Sequence, residues 1–147
     1  MRGAGSAVLV VEDDPYDLEL TLHALKRSNL DTPLAVVRDG LEALEYLFQI
    51  DRYASLEGTS APRLVLLDLK LPLVEGLEVL RRLKEDERTR EIPVVILSSS
   101  RQEPDLKQAY ALGVNSYIVK PVDIAQFFKA VSEVGLYWVL LNERLDR

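Results

Sequence analysis

The sequence contains no cysteine and only one histidine, His23. Without cysteine the chain has no disulfide bond, no thiolate metal site and no cysteine nucleophile. With a single histidine, any metal site has to be built from oxygen ligands. The chain also lacks a glycine-rich phosphate loop and a Walker-type lysine, which argues against nucleotide binding.

Long apolar runs are absent as well. The longest, near the C-terminal end, covers six residues (Leu136 to Leu141), whereas a membrane-spanning helix needs roughly 20. Residues Met1 to Ser6 lack the apolar segment of a signal peptide. We therefore expect a cytoplasmic protein with no membrane partner.

Positive charge is in the minority. Lysine and arginine total 18 against 24 aspartate and glutamate residues, giving a net charge of -6. Nucleic-acid binding needs clustered basic residues to replace counterions on the phosphates. The basic residues between Arg81 and Arg88 alternate with acidic ones, so we expect no nucleic-acid partner.

Short aliphatic runs dominate what is present. Continuous runs, rather than alternating ones, are typical of strands buried on both faces of a parallel sheet. A further strand is predicted at Leu34 to Val37. Along the sequence, the predicted strands alternate with segments that show the apolar stripe of an amphipathic helix. The sequence thus predicts an α/β fold, a doubly wound five-stranded parallel sheet with five helices. The four runs are Ala7 to Val11, Leu64 to Leu67, Pro93 to Leu97 and Ser116 to Val119.

One domain accounts for the whole pattern. We expect it to cover residues 7–147, with an extended last helix and a C-terminal tail, preceded by a flexible N-terminus at 1–6 and carrying no output domain. Residues Gln49 to Arg63, rich in Gly, Ser, Thr and Pro, are predicted to form a long surface loop. Asp14 and Asp123 are predicted helix caps.

Acidic residues follow two of the strands. Glu12, Asp13 and Asp14 come directly after the first strand, and Asp68 ends the third. In parallel sheets these ends meet at one edge, where ligands bind. Carboxylates gathered there repel one another unless a cation binds, and oxygen ligands suit Mg²⁺. We predict that Glu12, Asp13 and Asp68 form a metal site, while Asp14 only caps its helix.

Asp68 differs from the other acidic residues because its neighbours are apolar. A carboxylate in such surroundings needs a partner or a chemical task, and it could attack phosphorus to form an acyl phosphate. Ser98 and Lys120 end strands four and five and could contact phosphoryl oxygens. Taken alone, each has an ordinary explanation: a cap for Ser98 and a surface charge for Lys120.

As a set, these residues resemble the response-regulator receiver domains of two-component signalling. The motifs are Val10-Val11-Glu12-Asp13-Asp14, Leu66 to Pro72, Ile96-Leu97-Ser98 and Tyr117 to Pro121. The resemblance implies a CheY-like, flavodoxin-like fold in which Asp68 accepts a phosphoryl group from a histidine kinase. It also implies that Glu12, Asp13, Asp68 and the backbone carbonyl of Lys70 hold Mg²⁺, for which Mn²⁺ or Ca²⁺ could substitute.

The same resemblance assigns the remaining site residues. Ser98 and Lys120 would contact the phosphoryl oxygens, and Ser98 and Tyr117 would move together as a switch. The alternative for Tyr117 is a half-buried tyrosine with no such role. The resemblance further implies a cis peptide between Lys120 and Pro121.

The output route is predicted from the tail. Residues Leu136 to Leu141 are apolar on all sides, and one core covers only one side of a helix. We predict a homodimer and output through the face formed by the fourth helix, the fifth strand and the fifth helix, with Tyr110, Phe127, Tyr137, Trp138 and Leu141 at the contact. The alternative is a tail folded back on its own domain.

A narrower resemblance concerns the partner. The Arg38-Asp39-Gly40 helix opening, the long loop before Arg63 and the Trp138-containing tail are similar to the stand-alone response regulators paired with bacterial phytochromes. This implies a bacteriophytochrome as the sensor histidine kinase and leaves the downstream protein unknown.

Two other functions compete with the phosphoacceptor switch, which would catalyse only its own phosphorylation and dephosphorylation and would not be an enzyme. One is a phosphorylation-independent interaction or dimerisation module. The other is a phosphohydrolase with an aspartyl-phosphate intermediate, but such enzymes place the nucleophile on the first strand with a second Asp two residues later. Here the candidate nucleophile, Asp68, ends the third strand, so the spacing disfavours an enzyme.

Overall fold

The central sheet has five strands, all parallel, in the order β2-β1-β3-β4-β5. The computed structural model describes residues 8–27, 32–99, 103–120 and 123–141. The aliphatic runs form the strands because both faces of the sheet are covered, and every residue of β1, β3 and β4 is buried. The predicted fold class is confirmed. The strands are β1 Val8–Val11, β2 Leu34–Val37, β3 Leu64–Leu67, β4 Val94–Ser98 and β5 Ser116–Val119.

Five α-helices connect and cover the strands. One apolar cluster includes buried residues of α2, α3 and α4, and a second, on the other side of the sheet, includes buried residues of α1 and α5. The caps fit the sequence: the side chains of Asp39 and Asp123 accept backbone N–H groups at the starts of α2 and α5. The helices are α1 Pro15–Arg27, α2 Gly40–Phe48, α3 Gly76–Glu85, α4 Glu103–Ala111 and α5 Ile124–Leu136.

The segment predicted as a long loop contains a 3₁₀ helix, Asp51–Leu56. Two side-chain contacts fix this helix to α2. Tyr53 Oη donates to Glu42 Oε2 at 2.5 Å, and Arg52 Nε donates to Glu45 Oε1 at 2.6 Å. The composition indicated an irregular surface segment, but it did not reveal these polar anchors.

The loop from β3 to α3 is packed closely against two glycines. A Cβ on Gly40 would lie 1.8 Å from the carbonyl oxygen of Val74, and one on Gly76 would lie 2.3 Å from that of Asp68. Between these two contacts the chain turns at Leu73, whose φ is +69°. The turn is closed by a hydrogen bond in which Val74 N donates to Pro72 O at 2.8 Å. The result is a tight turn in a conformation that is unfavourable for a residue with a Cβ. This loop directly follows Asp68 and shapes its surroundings.

The C-terminal tail continues α5 as a π-helical turn, Tyr137–Leu141. Val139 is buried, and Trp138 packs against the cluster beneath α1 and α5. Part of the tail therefore lies on its own domain. No helix within the described residues has the length and apolar character needed to cross a membrane.

Candidate functional site

The parallel register brings the acidic strand ends together. Val11 pairs with Val37 on one side and with Leu67 on the other. The chain stays in register one residue further, because Glu12 N donates to Val37 O and Asp68 N donates to Val11 O, both at 3.1 Å. Glu12 and Asp68 therefore leave the same edge of the sheet on neighbouring strands.

Lys120 reaches this edge from β5. Its backbone N–H donates to Ser98 O at 2.7 Å, which continues the pairing of β4 with β5. Its Nζ donates to Glu12 Oε1 at 2.7 Å and to Asp17 Oδ2 at 2.9 Å, and lies 3.7 Å from Asp68 Oδ2. One ammonium thus links three carboxylates from β1, α1 and β3. We call Glu12, Asp17, Asp68 and Lys120 the carboxylate–lysine cluster.

Burial strengthens the electrostatics of this cluster. Desolvation of Glu12, with a further contribution from the charge of Asp68, raises the pKa of Glu12 to about 7 even though Lys120 opposes the shift. Burial alone would lower the pKa of Lys120, but its hydrogen bonds to Glu12 and Asp17 outweigh that effect and raise it. Lys120 is therefore a permanent cation at neutral pH.

The two carboxylate oxygens of Asp68 have different surroundings. Oδ1 accepts the N–H of Leu69 at 2.8 Å, and Oδ2 faces Lys120. The side chain is largely covered, with 12% of its surface exposed. Behind it, Gly76 allows α3 to begin against the Asp68 backbone. The result is a fixed carboxylate beside a cation.

Three residues in or beside the predicted metal site, Asp13, Asp14 and Lys70, have different surroundings. Asp13 is exposed, and Asp14 caps α1 as predicted, since its Oδ1 accepts Tyr16 N at 3.0 Å. Lys70 is an exposed residue of the loop after β3. Across the ranges that the structure describes, no three acidic or histidine side chains are grouped closely enough to hold a metal ion.

The cluster nevertheless fits a hard divalent cation. Glu12 and Asp68 are both within reach of a single ammonium, and the charge of Asp68 contributes to the raised pKa of Glu12. Such a pair of oxygen donors is what Mg²⁺ needs, because it binds through one or two carboxylates and keeps several waters. The metal-ligand assignment remains a prediction on this basis.

The predicted switch residues lie on adjacent strands. Ser98 is the buried last residue of β4, and Tyr117 is partly buried on β5, in register with Ile96 and packed against the α2–α3 side of the core. The predicted cis peptide involves Pro121, which lies outside the described residues. The switch role of Ser98 and Tyr117 stays a prediction.

Asp17 is the site residue that the sequence did not reveal. It lies in the first turn of α1, three residues after the capping Asp14. That spacing places the two residues about one helical turn apart, which was the available signal. Pro15 and Asp14 are sufficient to predict the start of the helix, so the sequence offered no separate reason to assign a role to Asp17 in the same turn.

The residues of the predicted dimer face divide into two groups. Tyr110 is 54% exposed and Tyr137 is 49% exposed, and Trp138 packs edge-on against Tyr137 with ring centroids 5.0 Å apart. Phe127, however, is only 3% exposed and belongs to the core beneath α5. The prediction is therefore wrong for Phe127, which cannot present its ring to a second copy. The side chain of Leu141 lies outside the described part.

Comparison with curated proteins gives relatives that cover most of this chain. The probable methanogenesis regulatory protein FilR2 of Methanothrix harundinacea is 42% identical over 92% of this chain and 84% of its own length. The response regulator Rcp1 of Synechocystis is 39% identical over 90% of this chain and 88% of its own.

Solved structures give the same result in three dimensions. The phosphorylated cyanobacterial phytochrome response regulator RcpA superimposes with a TM-score of 0.88 at 38% identity, covering 97% of this chain and 100% of RcpA. The Mn²⁺-bound form of Rcp1 gives 0.87 at 35% identity, over 97% and 100% of the two chains. The bacteriophytochrome response regulator AtBRR gives 0.75 at 52% identity, over 96% and 100%.

Comparison with known protein families identifies one family that accounts for these similarities. Residues 8–132 match the response regulator receiver domain, a range that contains every strand and the whole carboxylate–lysine cluster. Receiver domains belong to two-component signalling and are generally not enzymes in their own right. The chain is a member of the response regulator receiver family, related to the stand-alone response regulators of phytochromes.

Proposed function

We propose that this receiver domain accepts a phosphoryl group on Asp68 from the phosphohistidine of a sensor kinase. The observation that carries the proposal is the position of Lys120 Nζ, 2.7 Å from Glu12 and 3.7 Å from Asp68 at the sheet edge. A carboxylate beside a fixed cation is suited to receive an anionic group. RcpA, the phosphorylated relative, supports the same role.

The transfer step moves one group between two nucleophiles. An oxygen of Asp68 forms a bond to phosphorus while the phosphorus–nitrogen bond to imidazole breaks, and the imidazole leaves with the electron pair and takes up a proton. Lys120 and Ser98 contact the phosphoryl oxygens, which carry most of the charge. Later attack by water on phosphorus returns free phosphate and the Asp68 carboxylate.

A divalent cation completes the site. Glu12, Asp13, Asp68 and the backbone carbonyl of Lys70 would hold Mg²⁺, and Mn²⁺ or Ca²⁺ could take its place. The Mn²⁺-bound form of Rcp1 supports a divalent cation in a relative. When bound, the cation neutralises charge on the phosphoryl oxygens. The chain's own part is to hold the carboxylates at the edge of the sheet.

Phosphorylation is proposed to act through Ser98 and Tyr117. A phosphoryl group adds a charge of about -1.5 to -2 and three acceptor oxygens. Ser98 would move toward these oxygens, and Tyr117 would follow because Ile96, two residues before Ser98, is paired with Tyr117 across the sheet. The signal would leave through the face formed by α4, β5 and α5.

The proposed output surface pairs with a second copy, through Tyr110, Tyr137 and Trp138. The two tyrosines are the large exposed aromatic residues of α4 and the tail. Sedimentation of Tyr137→Ser and of wild type, each with and without phosphodonor, tests this. We expect wild type to dimerise and Tyr137→Ser to be monomeric, whereas monomeric wild type at tens of micromolar in both states would contradict it.

The proposed kinase is a phytochrome-type photoreceptor. Rcp1 and RcpA are related over nearly the whole chain, and AtBRR reaches 52% identity. FilR2, named for methanogenesis, favours a different input. Phosphotransfer from purified phytochrome kinases, in competition with other sensor kinases of the same organism, decides between them. Preferential transfer from a kinase without a photoreceptor would contradict the phytochrome partner.

The phosphoacceptor role is tested by substitution at Asp68. We expect acetyl phosphate with Mg²⁺ to label wild type and to leave Asp68→Asn unlabelled, as measured by intact mass. Asp51→Asn, the same chemical change on the 3₁₀ helix, is the matched control and should be labelled like wild type. Undiminished labelling of Asp68→Asn would overturn the proposal, and steady turnover of small phosphate esters would point instead to a phosphohydrolase.

A further inference from the structure

The ammonium of Lys120 makes its two short contacts away from Asp68. Its hydrogen bonds go to Glu12 at 2.7 Å and Asp17 at 2.9 Å, while Asp68 Oδ2 is 3.7 Å away, beyond hydrogen-bond distance. In the unphosphorylated protein, therefore, the lysine is held by two carboxylates other than the phosphoacceptor.

Asp17 holds Lys120 from a rigid support. It lies in the first turn of α1, and the carbonyl oxygen of Asp17 accepts the hydroxyl of buried Thr21 at 2.9 Å. The next residue, Leu18, is buried under the helix. The Asp17 side chain remains 29% exposed, so the contact sits at the solvent edge of the cluster while its backbone is fixed.

Asp17 and Glu12 hold Lys120 for different reasons. Glu12 is nearly buried, hydrogen-bonds the Asp14 N–H at 3.2 Å and is a proposed metal ligand. Asp17 has no part in the proposed metal set, and its Oδ2 is directed at Lys120 Nζ. A phosphoryl group on Asp68 would offer the same ammonium new anionic acceptors. Asp17 would then compete with that group for Lys120.

We propose that Asp17 is a positioning residue that acts through Lys120 and weakens the hold of the site on the phosphoryl group. This inference rests on the proposed phosphoacceptor function. It gives the first turn of α1 a role in setting how long the phosphorylated state persists. Loss of the Asp17 charge frees Lys120 for the phosphoryl oxygens, so the phosphorylated form becomes easier to reach and slower to decay.

Beryllofluoride, a phosphoryl mimic, tests this by titration with saturating Mg²⁺. We expect Asp17→Asn to bind it about 5- to 10-fold more tightly than wild type, the range of coupling typical of residues in contact. Glu19→Gln removes one carboxylate from an exposed position of the same helix and should bind like wild type. Asp17→Ser is the second variant, should Asp17→Asn fail the folding check by circular dichroism.

The role of Lys120 is tested by repeating Asp17→Asn in a Lys120→Ala background. In that background we expect Asp17→Asn to tighten beryllofluoride binding by less than about 2-fold, because the ammonium for which Asp17 and the mimic compete has been removed. An equal gain in that background, or unchanged or weaker binding by Asp17→Asn, would overturn the inference while leaving the phosphoacceptor role intact. Failure of wild type itself to bind beryllofluoride would overturn both.

Discussion

At the scale of single residues, Lys120 determines how the charged site is assembled. Its side chain is 12% exposed and links carboxylates from β1, α1 and β3. A buried charge that loses its partner is costly. The lysine therefore supports the fold as well as the proposed chemistry, since without it three carboxylates would face one another at one edge of the sheet.

Replacement of Lys120 by alanine should lower stability. We expect a loss of about 1–3 kcal/mol at neutral pH, the usual cost of leaving a buried polar or charged group without its partner. Urea unfolding in the absence of divalent cations measures it. Lys129→Ala, at an exposed position of α5, is the control and should change stability by less than about 0.5 kcal/mol. Equal stability of wild type and Lys120→Ala would contradict this account.

Tyr53 gives a pH-dependent signature of the anchor between the 3₁₀ helix and α2. Burial, followed by the hydrogen bond to Glu42, raises the pKa of Tyr53 from 10.0 to about 12. Because the folded-state pKa is the higher one, the contact contributes fully below pH 10, and its contribution is lost as the pH rises through 12.

Tyrosinate absorbance tests this anchor. The titration of wild type minus that of Tyr53→Phe isolates Tyr53, and we expect its midpoint near pH 12. In Glu42→Gln the same difference should move down toward 10, because the amide still accepts a hydrogen bond but no longer carries the negative charge that opposes tyrosinate. A midpoint near 10 in the protein with Glu42 intact would show that the anchor does not form.

Sequence and structure agree best for residues whose location follows from the end of a strand. Asp68 and Lys120 were predictable because parallel strands end at one edge. Asp17 was not, because its role depends on the direction taken by α1 as it leaves the strand. From the sequence Phe127 was assigned to the dimer contact, and only the packing of α5 placed it in the core.

At the scale of elements, the loop from β3 to α3 controls the surroundings of Asp68. Gly40 and Gly76 hold it from opposite ends, because neither position has room for a Cβ. Leu73, with a φ of +69° and 76% exposed, lies at the turn between them. The close approach of this loop to Gly40 arises from the packing of α2 against it.

Gly76→Ala should affect both stability and the site. An added methyl would lie 2.3 Å from the carbonyl oxygen of Asp68 and force the backbone apart, at a cost of about 1–3 kcal/mol. Labelling of Asp68 by acetyl phosphate should slow as the carboxylate shifts. Unfolding midpoints and labelling rates measure the two effects.

Gly58→Ala separates the effect of backbone strain on stability from the effect of displacing Asp68. Gly58 has a φ of +85°, but the space that a Cβ would occupy there is open, so alanine strains the backbone far from Asp68. We expect reduced stability with an unchanged labelling rate. Equal labelling rates for Gly76→Ala and Gly58→Ala would show that the contact behind Asp68 has no influence on the site.

At the scale of the whole molecule, α1 and α5 pack together on one face and join the two ends of the sequence. Ser132 Oγ donates to Ala24 O at 3.2 Å, and Phe128 lies 5.6 Å from the ring of His23, centroid to centroid. The arrangement of helices on both faces of the sheet was predictable from the alternation of strands and helices. Which aromatic residues face inward was not, because Phe127 and Phe128 are adjacent in the sequence of α5.

Phe127→Ala tests the division of the last helix into core and surface. We expect a loss of about 3–5 kcal/mol, since a buried ring leaves a cavity when truncated. Tyr137→Ala, at an exposed position, should cost less than about 1 kcal/mol. Chemical denaturation of both variants measures the difference, and equal losses would show that Phe127 is not part of the core.

The packing of α1 also affects how the protein is made. Glu12 meets Lys120 across 108 positions of sequence, and ribosomes add about 5–20 residues per second. For roughly 5 to 20 seconds after its own synthesis, α1 would therefore wait with Leu18, Ala24 and Leu25 only partly covered, because Phe127 and Val131 of α5 complete the cluster that contains them. A nascent chain of this protein should accordingly present α1 as an early binding site for chaperones and become a phosphoacceptor only once β5 has emerged.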